Sequence, residues 1–240
     1  MLVWLVLVLS SLCSFVVGDG RVSEKPRLFV VHISDFCGPS LGCAASFDSY
    51  VHKCRALASQ GASADGRQIG DCYRDGALMG GTEVAEQWYR AAISTGDRRA
   101  KISLGKLLLM ESNERNKHAE GVILLEEEVN SEEGADADFF LGLAYFHGLG
   151  VTQDIGESLG YFEDSATKGG FVSLVFLHHV HAGGLYGVSV DRTLADGYLG
   201  IAGQLLKTRK YTYMGKEHQY SIEGAEGLLR KLRLLNDESR

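Results

Sequence analysis

The chain has 240 residues, 45% of them hydrophobic, and a formal net charge of −7 at neutral pH. The negative balance argues against nucleic acid as a partner, because binding to phosphates depends on an excess of Lys and Arg. Only 2 residues are Pro while 30 are Gly, which fits mostly helical structure with glycine at helix ends and close helix contacts. We therefore expect a helical protein that does not bind nucleic acid.

The first 18 residues carry no charge and include an unbroken apolar run from Leu2 to Leu9. Because Gly18 and Gly20 follow as small residues near a cleavage point, the pattern predicts a signal peptide over residues 1–18, with a short membrane anchor as the alternative. No later segment is apolar for long enough to span a membrane. We expect the mature chain in the secretory pathway, either secreted or in the lumen of the endoplasmic reticulum (periplasmic or secreted if the source is bacterial).

The cysteines that follow the predicted signal peptide are even in number and confined to the first third of the chain. In an oxidising compartment they predict two disulfides, for which three connectivities are possible. A zinc site is the alternative, but spacings of 6, 11 and 18 residues contain no Cys-x-x-Cys pair. We expect no metal and no cofactor. The four residues are Cys37, Cys43, Cys54 and Cys72.

An internal repeat is the most informative feature of the chain. Residues 150–154, Gly-Val-Thr-Gln-Asp, recur 37 residues later at 187–191 as Gly-Val-Ser-Val-Asp, and Tyr161 has its counterpart in Tyr198. A period of 35 to 38 residues predicts stacked helical hairpins, each of which buries its apolar side against the next. We therefore predict an all-α fold, an α/α superhelical solenoid of about four to five hairpins over residues 47–204.

Two shorter regions flank the predicted array. Residues 19–46 follow no repeat pattern and form an irregular, cysteine-containing segment in which Leu28–Val31 suits a short strand. Residues 205–240 are expected to form a linker and a C-terminal capping helix, because leucines recur on one face of 221–236 and basic residues on another. The cap would cover the apolar end that the last hairpin leaves open.

One unit carries a set of motifs that identifies a family. Residues 141–145 are Leu-Gly-Leu-Ala-Tyr, residues 148–154 are Gly-Leu-Gly-Val-Thr-Gln-Asp, and an aromatic pair follows at Tyr161 and Phe162. These motifs resemble SEL-1-like repeats, which are related to tetratricopeptide repeats. The resemblance covers about residues 50–204. It implies an α/α solenoid and an adaptor role in assembling protein complexes.

The other units match the family pattern less fully. The unit at 62–96 lacks the loop motif, the unit at 97–134 has two leucines in place of the aromatic pair, and the unit at 170–204 has His178 where the first-helix glycine belongs. Aspartate before a second helix is expected to cap it, and the other motif residues are expected to pack helix against helix. The expected scaffold residues are Gly70, Tyr73, Trp88, Gly105, Gly142, Tyr145, Gly150, Asp154, Tyr161, Asp191 and Tyr198.

Placing the cysteines on these repeats predicts their pairing. Cys54 falls in the second helix of one unit and Cys72 in the first helix of the next, and the stack makes those helices neighbours. We therefore predict a Cys54–Cys72 disulfide between helices, and Cys37–Cys43 as a local loop.

Charge is distributed unevenly along the array. Residues 111–164 hold 14 acidic and 2 basic side chains, whereas residues 204–240 hold 8 basic and 5 acidic. The run of Glu126–Glu128 with Glu132 and Glu133 suits either a calcium or partner surface or a solvated helix face. No EF-hand spacing supports calcium, and we favour the solvated face.

The sequence contains no catalytic motif. No G-x-S-x-G is present, and the glycine-rich stretch Gly183–Gly187 aligns with the repeat loop, so it is not a phosphate cradle. The histidines His178, His179 and His181 do not share one helical face, and no Cys or carboxylate nearby completes a metal set. We therefore predict that the protein is not an enzyme.

The predicted function is that of a non-catalytic scaffold or adaptor that binds a protein or peptide in the concave groove of the solenoid. Two alternatives remain: a secreted small-molecule hydrolase of the cysteine-rich repeat type, and a permanent structural subunit that docks through an apolar patch on its outer face. The oligomeric state is left open. Polar side chains on the first helices are the expected contacts: Arg67, Arg74, Lys101, Lys106, Asp138, His147, His178 and His181.

Overall fold

The structure, a computed structural model, describes residues 42–61, 65–131, 133–208, 210–213 and 216–235. The predicted signal peptide, the strand at Leu28–Val31 and the Cys37–Cys43 disulfide lie outside the described residues.

The described chain is built from helices joined by short loops. A two-stranded antiparallel hairpin, which pairs Lys210 with Gln219, separates the last two helices. The helices are α1 (Gly42–Ser59), α2 (Gly66–Arg74), α3 (Gly81–Ser94), α4 (Arg99–Glu111), α5 (Arg115–Glu126), α6 (Gly134–His147), α7 (Ile155–Thr167), α8 (Phe171–Gly183), α9 (Arg192–Thr208) and α10 (Ile222–Lys231). The strands are β1 (Lys210–Tyr213) and β2 (Lys216–Gln219), and a short 3-10 helix spans Leu185–Gly187.

The helices pair into four hairpins that stack on one another. α2 packs on α3, α4 on α5, α6 on α7 and α8 on α9, and each second helix also packs on the first helix of the next unit. α1 packs on α2 and occupies the place of a preceding second helix. This arrangement is the predicted α/α solenoid, and the small β-hairpin between α9 and α10 is an addition that the sequence pattern did not indicate.

Glycine on the first helix lets the second helix approach closely. A Cβ added to Gly142 would lie 2.9 Å from the ring of Phe162, and one added to Gly105 would lie 2.7 Å from Leu125. In the last unit His178 replaces this glycine, and its Nδ1 donates a hydrogen bond to the Ala195 carbonyl at 3.0 Å. The Leu-Gly motif therefore encodes a helix–helix contact, which the last unit makes in a different way.

The remaining repeat motifs fold alike in successive units. The Asp154 carboxylate accepts a hydrogen bond from the backbone of Glu157 at 3.1 Å, and Asp191 caps the last second helix in the same way. The rings of Tyr145 and Tyr161 stack at 5.4 Å. One unit later His181 and Tyr198 stack at 5.7 Å, so the sequence period is also a structural one.

A disulfide joins Cys54 on α1 to Cys72 on α2, with Cα atoms 5.7 Å apart. This pairing was predicted from the repeat alignment and is confirmed. Both cysteines are buried with Ala77 in a small cluster at the N-terminal end of the stack. The bond therefore fastens α1 to the first complete hairpin.

The C-terminal segment, defined here as α10 with residues 232–235, packs on α8. The Ser221 side chain caps α10 by accepting a hydrogen bond from the backbone of Gly224 at 3.0 Å. Leu229, Leu232 and Leu234 are buried in a core cluster shared with α6 and α8. Within the described residues, no helix is long and apolar enough to cross a membrane.

Candidate protein-binding groove

The first helices line the inner face of the array. α2 touches α4 and α4 touches α6, whereas no comparable contact joins successive second helices in the part of the chain that the structure describes. The row of more closely spaced helices lies on the inside of a curve, so the first helices form the concave side. We call this side the inner face.

Lys106 lies on the part of the inner face that solvent reaches. Its ammonium on α4 lies 3.5 Å from the Asp136 carboxylate and 4.9 Å from the centre of the Phe140 ring, and both of these residues belong to α6. The Lys106 side chain is 32% exposed and Asp136 is 65% exposed, so solvent reaches both groups. Of the eight predicted contact residues, Lys106 is the one placed between two first helices with an open approach.

The C-terminal segment covers the inner face farther along the array. His147, at the end of α6, donates a hydrogen bond from Nε2 to the Leu232 carbonyl at 2.9 Å. The Tyr186 hydroxyl donates to the Leu234 carbonyl, and the Tyr186 ring meets Phe146 edge-on at 5.1 Å. The chain therefore binds its own backbone along α6 and α8. Within the described residues the C-terminal segment makes no comparable contact with α2 or α4, so the described groove is open there.

Two contacts between the array and the C-terminal segment were not predicted from the sequence. The first joins His179 to Glu226 on α10 at 3.0 Å, whereas the neighbouring His178 and His181 had been predicted as groove residues. The second is the hydrogen bond from Tyr186 to the Leu234 carbonyl, and Tyr186 makes it with a backbone φ of 57°, which is uncommon for a bulky residue. The local sequence indicates neither contact, because Glu226 and Leu234 both lie far along the chain.

The predicted contacts on α2 belong to an internal charged network. Arg74 binds Asp71 at 2.8 Å and Asp75 at 2.9 Å, and it donates to the Tyr89 hydroxyl at 3.2 Å. Burial raises the pKa of Tyr89; Arg74 opposes the shift and Asp71 adds to it. Arg67 joins the network through Asp71 at 3.1 Å. These two arginines are only partly exposed and already hold acidic partners.

Lys101 and Asp138 occupy equivalent positions 37 residues apart and make equivalent contacts with reversed charge. Lys101 binds Glu127 at 2.7 Å, and Asp138 binds Lys168, so each ties the first helix to the end of the second helix in its own unit. Asp138 is 1% exposed, and burial raises the pKa of its carboxyl while Lys168 lowers it. The structure thus places Asp138 inside its hairpin, where a partner cannot reach its carboxylate.

The remaining histidines also make internal contacts. His178 bonds to a backbone carbonyl of its own hairpin, and His181 stacks on Tyr198. Among the described residues, no group of three or more His, Cys, Asp or Glu side chains is arranged to hold a metal ion.

Within the described residues, shallow clefts lie at the ends of helices, and two of them are large enough to consider as sites. The larger, of about 360 Å³, lies between the start of α4 and the loop after α5, and it contains the buried carboxylate of Glu128. Glu128 is held by Arg98 at 3.1 Å and by Lys101 at 3.5 Å, so it acts as a salt-bridge partner. The smaller cleft, of about 270 Å³, lies beside the start of α3 and includes Lys117. Neither cleft brings a histidine next to a nucleophile among its described lining residues.

Comparison with known proteins identifies the fold. No protein-family model matches the chain, and no curated protein sequence matches it. Among solved structures, a Sel1 repeat protein from Oxalobacter formigenes has 22% identity and a TM-score of 0.52, over 63% of this chain and 61% of that one. The antigen c5321 from uropathogenic Escherichia coli, described as having an SLR fold, has 23% identity and a TM-score of 0.47, over 64% of this chain and 33% of its own.

The described chain is an α/α repeat solenoid, and its fold is that of Sel1 repeat proteins, as the sequence motifs predicted. The chain spans less than two thirds of the length of either solved structure. The likeness therefore establishes the fold, and function has to be argued from the residues of this chain.

Proposed function

We propose that this protein is a non-catalytic scaffold that binds a peptide or a protein surface along the open part of its inner face, over α2 and α4. The observation that carries the proposal is the C-terminal segment, because a polypeptide already lies on the inner face over α6 and α8. A surface that accommodates one helix and its following turn is suited to another such segment beside it.

The contacts that hold the C-terminal segment in place support the proposal of a binding scaffold. His147 and the Tyr186 hydroxyl donate to backbone carbonyls of the segment, and leucines of the segment fill apolar space beneath. Contacts of this kind recognise a main chain with apolar anchors and do not perform chemistry. On the open part, Lys106 and the 58% exposed Arg99 are the polar groups within reach of a partner.

We also propose that the protein works in an oxidising compartment, in the secretory pathway or outside the cell. The Cys54–Cys72 disulfide supports this location, because such bonds persist outside reducing compartments. The uncharged, apolar start of the sequence is consistent with it.

Site-specific photo-crosslinking in the native host tests the groove. A photoreactive amino acid at Ser103, one turn before Lys106 on the same helix face, is expected to capture a defined protein. The matched control places the same amino acid at Gln87, which is exposed on the second helix α3. Lys106→Glu introduced with the Ser103 probe should reduce capture several-fold.

Equal capture from the two probe positions would show that the inner face is not the binding surface, and so would capture from Ser103 that Lys106→Glu does not reduce. The full chain with its disulfide intact is used throughout, because α1 and the C-terminal segment both pack against helices that form the groove.

A further inference from the structure

Helix α9 exposes an apolar stripe on the side away from the groove. Val190, just before the helix, is 58% exposed, Leu194 is 41% exposed and Ile201 is 47% exposed. Leu194 and Ile201 are seven residues apart within α9 and therefore share one helical face, and Val190 lies just before the helix begins. Single exposed apolar residues are ordinary on soluble proteins, but a row of large ones on one helix is a common sign of an interaction surface.

Within the described residues, no side chain covers the backbone between Leu194 and Ile201. Gly197 lies between them on the same helical face, and a Cβ added to it would meet no atom within 4 Å, in contrast to Gly142, whose space is filled by Phe162. Glycine inside a helix lowers stability relative to alanine, so it is usually kept where something lies close to the backbone. Nothing described lies close to Gly197, and a partner side chain can rest there.

The repeat itself does not require an apolar outer face. The residues 37 positions before Leu194 and Ile201 are Glu157 and Asp164, which are exposed on α7. Equivalent surfaces of neighbouring units therefore differ sharply, acidic on α7 and apolar on α9. The change is particular to the last unit.

Exposed carboxylates lie on the second helix of the preceding unit, α7. Glu157 and Glu163 on α7 form no salt bridge with any described basic side chain, whereas Glu86 on α3 is held by both Arg90 and Lys117. Glu163 also raises the pKa of Tyr198 on α9, after the larger effect of burial, so its charge acts on that helix. The outer surface of the last two units thus combines exposed apolar side chains on α9 with exposed carboxylates on α7 that no described basic side chain pairs.

We propose that the outer face of α9, with the acidic face of α7, docks a basic amphipathic helix of another protein. Apolar side chains of that helix lie on Val190, Leu194 and Ile201, and its Lys or Arg residues pair with Glu157 and Glu163. Three side chains and a bare backbone match the width of one helix, and they fall short of the roughly 800 Å² per partner that a stable dimer buries. This surface is separate from the inner face, and the proposal does not depend on the groove.

Binding of a defined peptide tests the docking surface. The probe is a labelled 18-residue helical peptide with Leu on one face and Lys on the other, and the matched peptide carries Glu in place of Lys. Fluorescence anisotropy with the full chain should show binding of the Lys peptide that weakens as salt is added. Leu194→Lys combined with Ile201→Lys should weaken it by about tenfold or more, since two central contacts are lost and charge is added.

Three control variants separate this surface from general attraction to an acidic protein. Met79→Lys, at a 99% exposed position in another unit, adds charge elsewhere and should leave the affinity unchanged. Lys106→Glu, on the inner face, should also leave it unchanged. Glu157→Gln with Glu163→Gln should weaken binding several-fold and flatten its dependence on salt.

Other results would overturn the proposal. Equal binding of the Lys and Glu peptides, or unchanged binding by the Leu194 and Ile201 variant, would show that the stripe does not recognise a basic amphipathic helix. Sedimentation measures self-association separately. A dimer of the wild type that the same variant abolishes would assign the stripe to a second copy of this chain and reject the heterologous partner.

Discussion

The two ends of the solenoid are closed by different kinds of interaction. At the N-terminal end, α1 is held against the first hairpin by the Cys54–Cys72 disulfide and by a hydrogen bond from the Tyr50 hydroxyl to Asp75, the carboxylate that Arg74 also binds. At the C-terminal end, α10 and the turn after it are held by buried leucines and by two side-chain hydrogen bonds to their backbone.

The difference follows from how much apolar surface each end buries. Among the described residues, the N-terminal cluster holds Cys54, Cys72 and Ala77 as buried apolar residues, with a few partly buried neighbours. The C-terminal segment instead joins the largest core cluster of the described chain. Where a stack cannot bury enough surface to cover its end, a covalent bond that restricts the unfolded chain supplies the missing stability.

Removal of the disulfide is expected to have the largest effect. Cys54→Ala with Cys72→Ala opens a loop of 18 residues and should lower the free energy of unfolding by about 3 kcal/mol. Because units in a solenoid are coupled mainly to their neighbours, the N-terminal unit should unfold first. Urea unfolding followed by Trp88 fluorescence should then precede the transition seen by circular dichroism.

Reducing agent provides the control for this experiment. It should destabilise the wild type to a similar extent and leave the double variant nearly unchanged, which separates this bond from any other cysteine. Coincident fluorescence and circular dichroism transitions in the variant would mean that the ends are not closed independently.

Shortening a buried side chain in the C-terminal segment should destabilise that end of the solenoid and leave the N-terminal unit nearly unaffected. Leu234 is fully buried, and Leu234→Ala should cost about 2.5 kcal/mol through lost burial and an unfilled cavity. The circular dichroism transition should move to lower urea while the Trp88 transition stays near its wild-type position. Leu194→Ala, at a 41% exposed position, is the matched control and should cost less than about 0.5 kcal/mol.

Local repetition explains which features of the fold were predicted from the sequence. The caps at Asp154 and Asp191, the Tyr145–Tyr161 stack and the Cys54–Cys72 pair all depend on residues within one unit or between neighbours. A period of 37 residues fixes those relationships once the helices are aligned. The closure of the groove depends instead on His147 meeting a residue 85 positions away, which no repeat specifies.

The direction in which side chains face was the weaker part of the site prediction. Successive residues on a helix point about 100° apart, so a shift of one position moves a side chain from the groove to the helix–helix contact. Lys101 and Asp138 show this, because both were expected in the groove and both instead tie their own hairpin together. Lys106 lies on the same helix as Lys101 but reaches the neighbouring first helix.

Neutralising Arg74 tests whether charge as well as the covalent bond closes the N-terminal end. Arg74→Met leaves Asp71 and Asp75 without their cation, and it should cost about 1.5 kcal/mol, a figure reduced because the guanidinium is 29% exposed. Arg74→Lys keeps the charge but loses the forked geometry of the guanidinium, so its free energy of unfolding should lie between those of the wild type and Arg74→Met. Lys106→Met, a more exposed cation on α4, should cost less than about 0.5 kcal/mol in the same urea titration.

The smallest expected effect is a dependence on pH that belongs to the C-terminal end. Burial lowers the pKa of His147 below its ordinary 6.5, and Arg233 lowers it further, although the Leu232 carbonyl opposes the shift. Because the unfolded chain takes up this proton more readily, the stabilisation is complete above about pH 6.5 and is lost as pH falls through the lower folded pKa. The free energy of unfolding of the wild type, minus that of His147→Gln, should therefore decrease on acidification. A difference that stays constant with pH would mean that His147 is not the group through which acid loosens this end.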